Sequence, residues 1–145
     1  MEEIRPGPQG PPTGAGGVSA CRGVRGATSL DHDLSGDAVA TAVGEMLAQI
    51  LHSNQASTED VAAVIFTVTD DLPGVNPAAA ARAEGFENVP LLVVREHGGD
   101  GRVARCVRAL VLLNTTLGQS GVRHAYLRGA RVLRPDLLTA RADAP

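Results

Sequence analysis

The chain has 145 residues, which is enough for one domain with a single core and too few for two domains of ordinary size. A formal net charge of −3 and a near absence of aromatic rings argue against nucleic acid as a partner. No run approaches the roughly 18 apolar residues of a membrane span. The leader also lacks the apolar core of a signal peptide, so we expect a cytoplasmic protein with no membrane partner.

The ends of the chain differ in composition from its middle. Residues 1–18 are rich in Pro and Gly and lack hydrophobic periodicity, which predicts a flexible N-terminal tail. Residues 19–138 carry the apolar periodicity of one folded domain, and residues 139–145 are predicted to be a second flexible tail. With no Trp, one Tyr and two Phe, the core must be built from Val, Leu, Ile and Ala.

One long amphipathic helix is predicted over residues 35–54. Apolar side chains recur there at helical spacing, and either Ser35 or Asp37 could act as its N-cap. The sequence STED at 57–60 then has the pattern of a capped turn.

A short helix is predicted over residues 76–85. Asn76 suits the N-cap, Pro77 suits the first helical position, and Gly85 suits the end of the helix. This helix would carry Arg82.

Strands are predicted where aliphatic and β-branched residues alternate or run together. They cover residues 20–28, 61–69, 89–96, 104–115 and 122–137. The second is typical of a central strand, and the third of a buried strand that ends in charged residues. The order β-α-β-α-β-β-β predicts an α+β domain with a mixed five-stranded sheet, one long helix and one short helix.

Two arginines and a tyrosine interrupt these apolar strands. Arg25, Arg108 and Tyr126 lie inside predicted strands, and Glu96 lies at a strand end beside a glycine-rich turn. Each alone could be an edge residue that reaches solvent. An arginine buried among aliphatic residues needs an anion, and the chain offers few buried acids, so a ligand anion is a natural candidate. Arg22 is three positions from Arg25, so the two should point to opposite faces of the sheet.

Other reactive residue types lack the spacing of a known catalytic or metal site. The turn HGGDG at 97–101 has no P-loop pattern, and DHD at 31–33 fits a helix cap better than a metal site. Cys21 and Cys106 form no CxxC pair and suggest buried thiols in a reducing compartment, while His124 suggests a packed or interfacial histidine. An arginine-rich region without a nucleophile suits a reaction that needs positioning and charge stabilisation.

An ordered set of motifs resembles the monofunctional AroH-class chorismate mutases. The motifs are RGVRGAT, TEDV, DL followed by PAAAAR, VP followed by E, CVR, and HAYL followed by VLRPDL, and they span Cys21 to about Leu137. The resemblance implies a mixed five-stranded sheet with helices that assembles as a homotrimeric pseudo-barrel, with active sites at subunit interfaces. It implies conversion of chorismate to prephenate without cofactor or metal, in aromatic amino acid biosynthesis or a linked secondary pathway.

The resemblance also implies roles for individual residues. Arg25 matches the arginine that holds a substrate carboxylate, and Tyr126 matches the tyrosine that assists it. Arg108 matches the arginine placed against the ether oxygen, where negative charge grows as the C–O bond breaks. Glu96 matches the glutamate that binds the ring hydroxyl. Arg108 and Glu96 would be the catalytic pair, and Arg25 and Tyr126 would be the pair that binds the carboxylate.

Four further positions line the expected pocket. Arg82 matches a mobile arginine near its opening, and Arg134 matches one in the C-terminal segment that closes over it. Asn76 and Val93 replace a Phe and a polar residue that the family commonly has. Two alternatives therefore stay open: the same fold acting on an analogue such as 4-amino-4-deoxychorismate, and a non-catalytic trimeric ligand-binding relative.

Overall fold

A computed structural model describes residues 18–99 and 102–133. Both predicted tails, except for residue 18, and Arg134 lie outside the described residues. The elements are, in chain order, β1 (Ala20–Ser29), α1 (Gly36–Ser53), β2 (Val61–Val68), α2 (Pro77–Ala83), β3 (Leu91–Arg95), β4 (Cys106–Thr115) and β5 (Ala125–Tyr126). Short 3-10 helices at Thr58–Asp60 and Arg128–Leu133 complete the list. The predicted order of strands and helices is confirmed.

The five strands form one mixed sheet in the order β3-β2-β4-β1-β5. β4 runs antiparallel to both β1 and β2, whereas β3 is parallel to β2 and β5 is parallel to β1. The main core lies between the sheet and the helices, where Met46 and Ile50 of α1 join Val24, Phe66 and Val111 of the sheet; each of these is at most 1% exposed. The α+β class and the mixed five-stranded sheet are confirmed. None of the described helices is long and apolar enough to cross a membrane.

The helix caps follow the sequence signals. Ser35 Oγ accepts a hydrogen bond of 3.2 Å from the Ala38 N–H, so Ser35 and not Asp37 caps α1. Asn76 Oδ1 accepts one of 3.2 Å from the Ala79 N–H and caps α2. Local hydrogen bonding therefore sets where both helices begin.

The prediction that residues 89–96 form a buried strand was wrong in one respect. β3 lies at the sheet edge and pairs with β2 alone, so its side chains face solvent on the side without helices. Leu92 is 56% exposed and Val94 is 40% exposed.

The prediction of a long β-rich run over residues 122–137 was also wrong. Within the described part of this run, residues 122–133, only Ala125–Tyr126 pairs with β1, and the chain then turns into the 3-10 helix Arg128–Leu133. Arg128 has a φ of 53°, which breaks the extended conformation. Tyr126 and Ala130 pack with Ala27 and Cys106 in a small second apolar cluster, whereas Val122 and Ala125 belong to the main core.

Candidate active site

The predicted catalytic residues lie on the face of the sheet away from the helices. Thr67 of β2, Arg108 of β4, Ala27 of β1 and Tyr126 of β5 are successive cross-strand partners. Partners in neighbouring strands point their side chains to the same face. Ala27 is three positions from Val24, which is buried in the helix-covered core, so this row lies on the opposite face.

Glu96 and Arg108 form an ion pair at the end of β3. The Glu96 N–H donates to the Val68 carbonyl at 3.0 Å, which holds the residue beside β2. Glu96 Oε1 lies 2.8 Å from Arg108 Nε and accepts a hydrogen bond of 3.0 Å from Thr67 Oγ1. The Arg108 Nε–H is not directed at the carboxylate, so the contact is an ion pair and not a hydrogen bond.

Because of this ion pair, the positive charge of Arg108 already has an anionic partner within the protein. Arg108 was expected to need a ligand anion because few acids would be buried, but the Glu96 side chain is only 11% exposed and supplies a carboxylate. The Arg108 side chain is 42% exposed although its Nε is buried. Arg108 is therefore fixed at one nitrogen and accessible to a ligand elsewhere.

Arg25 lies on the same face, one row along the sheet. Its cross-strand partner is Leu110, two residues from Arg108, so the two arginines are diagonal neighbours with Cα atoms about 7–8 Å apart. Its backbone N–H donates to His124 Nδ1 at 2.9 Å, which ties this part of β1 to the segment before β5. Of the two possibilities that the sequence left open for Arg25, the structure shows the exposed one, because the surrounding face is open and Leu110 is 39% exposed.

Arg22 points to the other face, as the spacing predicts. Its Nε donates to the Leu117 carbonyl at 3.1 Å, a contact that serves packing. If Arg25 holds a substrate carboxylate, as the resemblance implies, Arg25→Ala should raise the KM by about 10- to 100-fold through loss of a charged contact, whereas Arg22→Ala should change assembly or stability more than KM. Steady-state kinetics with sedimentation of both variants checks this, and equal losses of activity at unchanged assembly would contradict it.

Tyr126 and Cys106 lie beside the ion pair in the second apolar cluster. Tyr126 is 6% exposed, and the small side chain of Ala27 separates it from Arg108 along the row. Burial raises the pKa of the Cys106 thiol to about 11; the charge of Glu96 adds to the shift and that of Arg108 opposes it. The thiol therefore stays protonated near neutral pH and is no nucleophile.

The remaining predicted residues lie elsewhere in the chain. Asn76 and Arg82 are exposed on α2, which packs against α1 and β3, and Asn76 borders a groove of about 350 Å³ between the two helices. Val93 is paired with Phe66, so it belongs to the helix side of the sheet, where it is 38% exposed at the edge. Within one chain the structure brings together Arg25, Arg108, Glu96 and Tyr126, but not these three.

A hydrogen-bond network, which the sequence analysis did not identify, fixes the start of β4. Thr69 Oγ1 donates to Asp71 Oδ1 and accepts from the Cys106 N–H at 3.0 Å. Asp71 Oδ2 accepts from the Arg105 N–H at 2.8 Å, and Arg105 Nε donates to the Leu30 carbonyl at 3.0 Å. Arg105 adopts a φ of 46°, which this network holds in place. The strand thus begins in a defined position two residues before Arg108.

Asp71 makes this network sensitive to acid. Desolvation alone would raise its pKa, but the hydrogen bonds from Thr69 and Arg105 outweigh it and leave the pKa below the ordinary value of 3.8. A lowered folded-state pKa stabilises the fold above the unfolded value, and that stabilisation is lost as the pH falls through the folded value.

We therefore expect Asp71→Asn to destabilise the protein by about 1 kcal/mol or less at pH 7. The difference from wild type should shrink as the pH falls below about 4 and then through the lowered pKa of the folded-state carboxyl, because the wild-type group becomes protonated over that range. Urea unfolding at pH 7 and pH 3 measures it. The exposed carboxylate of Glu87 provides the control Glu87→Gln. A difference in unfolding free energy that stays constant with pH would contradict the lowered pKa of Asp71.

The two cysteines lie in different surroundings. Cys106 is buried but Cys21 is exposed, so the expectation of two buried thiols was wrong for Cys21. Within residues 18–99 and 102–133, no three His, Cys, Asp or Glu side chains are grouped to hold a metal ion.

Comparison with known proteins agrees with this fold. The family model for chorismate mutase type I matches residues 21–137. Chorismate mutase AroH of Thermus thermophilus is 47% identical over 121 residues, which cover 83% of this chain and 98% of that protein. Chorismate mutase AroH of Bacillus subtilis (strain 168) is 34% identical over 117 residues, which cover 80% and 91%.

Similarity extends to three dimensions. A solved structure of chorismate mutase from Clostridium thermocellum matches with a TM-score of 0.71 and 32% sequence identity, and the match covers 76% of this chain and 97% of that chain. The family match spans more than half of the sequence and includes Arg25, Glu96, Arg108 and Tyr126. The chain belongs to the chorismate mutase type I family.

Proposed function

We propose that this chain is an isomerase that converts chorismate to prephenate by a [3,3]-sigmatropic rearrangement. The observation that carries the proposal is Arg108, held at its Nε by Glu96 and accessible beyond it, beside an exposed Arg25 on the same sheet face. The rearrangement breaks a C–O bond and forms a C–C bond within one molecule. It therefore needs no nucleophile, and the protonated Cys106 thiol is consistent with that.

Arg108 stabilises the transition state by charge. As the ether C–O bond breaks, negative charge accumulates on the ether oxygen, and a guanidinium fixed beforehand stabilises it without reorganising. The ion pair with Glu96 Oε1, at 2.8 Å, provides that fixation. The other carboxylate oxygen of Glu96 accepts a hydrogen bond from the substrate's ring hydroxyl and orients the ring.

Arg25 and Tyr126 bind a substrate carboxylate. Chorismate carries two carboxylates, and the diagonal placement of Arg25 and Arg108 gives the open face two positive charges to receive such an anion. Binding both ends of the molecule favours the compact conformer in which the reacting carbons approach each other.

We infer that the site is completed by a neighbouring copy in a homotrimer. Leu92, Val94 and Leu110 leave an apolar surface on the same face as the arginines, and such a surface favours contact with another protein. Arg82 and Asn76 belong to α2 and its cap, on the helix side of the sheet, and Val93 also faces that side, whereas Arg108 faces the other side. A second copy seated on the apolar surface would supply them, and Arg134 would close the site.

The test is the decay of chorismate absorbance with purified protein, with the product identified as prephenate by NMR spectroscopy, because the two isomers have the same mass. 4-Amino-4-deoxychorismate is assayed in parallel, because Glu96 could pair with its ammonium group. Prephenate formation supports the proposal. Turnover of the amino analogue alone would show that it, and not chorismate, is the substrate. No turnover of either compound by folded protein would overturn the proposed function.

A further inference from the structure

The hydroxyl of Thr67 contacts the Glu96 carboxylate of the candidate active site. Thr67 is half-buried in β2, where its cross-strand partners are Arg108 on one side and Val94 on the other. Its Oγ1 donates to Glu96 Oε1 at 3.0 Å. The same carboxylate oxygen lies 2.8 Å from Arg108 Nε.

These two contacts define the orientation of the Glu96 carboxylate. Glu96 is the residue just after β3, so strand pairing fixes its backbone but not its three side-chain torsions. The ion pair with Arg108 is not a directed hydrogen bond. The directed contact in this cluster comes from Thr67 instead. With Oε1 engaged twice, Oε2 is the oxygen left to meet a ligand.

Secondary structure does not account for a threonine at this position. Valine has nearly the same shape and an equal or greater preference for strands, and the neighbouring positions of β2 are Phe66 and Val68. The Thr67 hydroxyl is hydrogen-bonded within the protein, and its partner is the candidate catalytic carboxylate.

We propose that Thr67 is a positioning residue that holds Glu96 Oε1 toward Arg108 and so reserves Oε2 for the substrate's ring hydroxyl. The role of Oε2 rests on the proposed function. The placement of the carboxylate by Thr67 does not, and it is measurable without substrate.

The kinetic test compares Thr67→Val with Thr67→Ser. Loss of a hydrogen bond to a charged group should lower kcat/KM for chorismate by about 10- to 100-fold in Thr67→Val, while Thr67→Ser should restore most of the activity. In a Glu96→Ala background, Thr67→Val should cause no further loss, because the group it positions is absent. Thr115→Val, another threonine of the sheet, is the control for loss of a strand hydroxyl.

A crystal structure of Thr67→Val is the second measurement. The Glu96 carboxylate should leave its position against Arg108 or occupy several orientations. An unmoved carboxylate, or an equal loss of activity in the Glu96→Ala background, would overturn the positioning role. If the wild-type protein does not convert chorismate, the proposed function fails, and the crystal structure still decides whether Thr67 places Glu96.

Discussion

Replacing Arg108 with alanine is expected to lower kcat for chorismate by about 10²- to 10³-fold, the typical effect of removing one preorganised donor from a developing oxyanion. The loss should fall on kcat more than on KM, because the ether oxygen carries its charge in the transition state and not in the bound substrate. Steady-state kinetics over a wide range of chorismate concentrations measures the two separately. A change confined to KM would place Arg108 at a substrate carboxylate instead.

The Arg108 variant needs a control for folding as well as for charge. Removing the guanidinium leaves the carboxylate of Glu96, 11% exposed, without its cation, and an uncompensated charge of this kind is destabilising. Circular dichroism and sedimentation should therefore show that the variant is folded and assembled as the wild type. Arg123→Ala removes an exposed arginine outside the site and should leave kcat unchanged. A loss of similar size in Arg123→Ala would point to a general charge effect.

The elements that depend on local signals could be predicted from the sequence. The periodicity of α1 and the side chains of Ser35 and Asn76 act within a few residues, so both helices start where their caps predict. The position of β3 depends on a different kind of information. A run of Leu and Val fits a central or an edge strand equally well, and only the strand order shows that β3 has one neighbour.

The distinction between local signals and strand order also applies to the residues of the active site. Alternation along β1 correctly places Arg22 and Arg25 on opposite faces, because that is a property of the strand itself. The contact between Glu96 and Arg108 depends on β2 lying between β3 and β4, so no local pattern predicts it. The exposure of Arg25 likewise follows from an uncovered sheet face. Thr67 could have been noticed as a hydroxyl in the aliphatic run of β2, but its partner could not.

If the site is shared between subunits and needs both Arg108 and Arg82, mixing Arg108→Ala with Arg82→Ala chains should restore activity that each variant alone lacks. In a homotrimer with interfacial sites, one subunit supplies Arg108 and its neighbour supplies Arg82. When Arg108→Ala and Arg82→Ala chains are unfolded together and refolded in equal amounts, about one site in four has both arginines. Chorismate turnover should then rise from near zero to about a quarter of the wild-type value. If each site were built within one chain, the mixture would regain no activity, because every chain lacks one of the two arginines.

A second mixture separates shared sites from simple rescue by refolding. Wild-type chains mixed equally with the double variant Arg82→Ala/Arg108→Ala should give about a quarter of full activity if each site needs two intact neighbours. They should give about half if each chain carries its own complete site. Arg82 and Arg108 are on different sides of the sheet in a single chain. A trimer joined through the Leu92, Val94 and Leu110 surface should therefore give about a quarter of the wild-type activity in both mixtures. Half activity in the second mixture, with none in the first, would contradict the interfacial site while leaving the role of Arg108 intact.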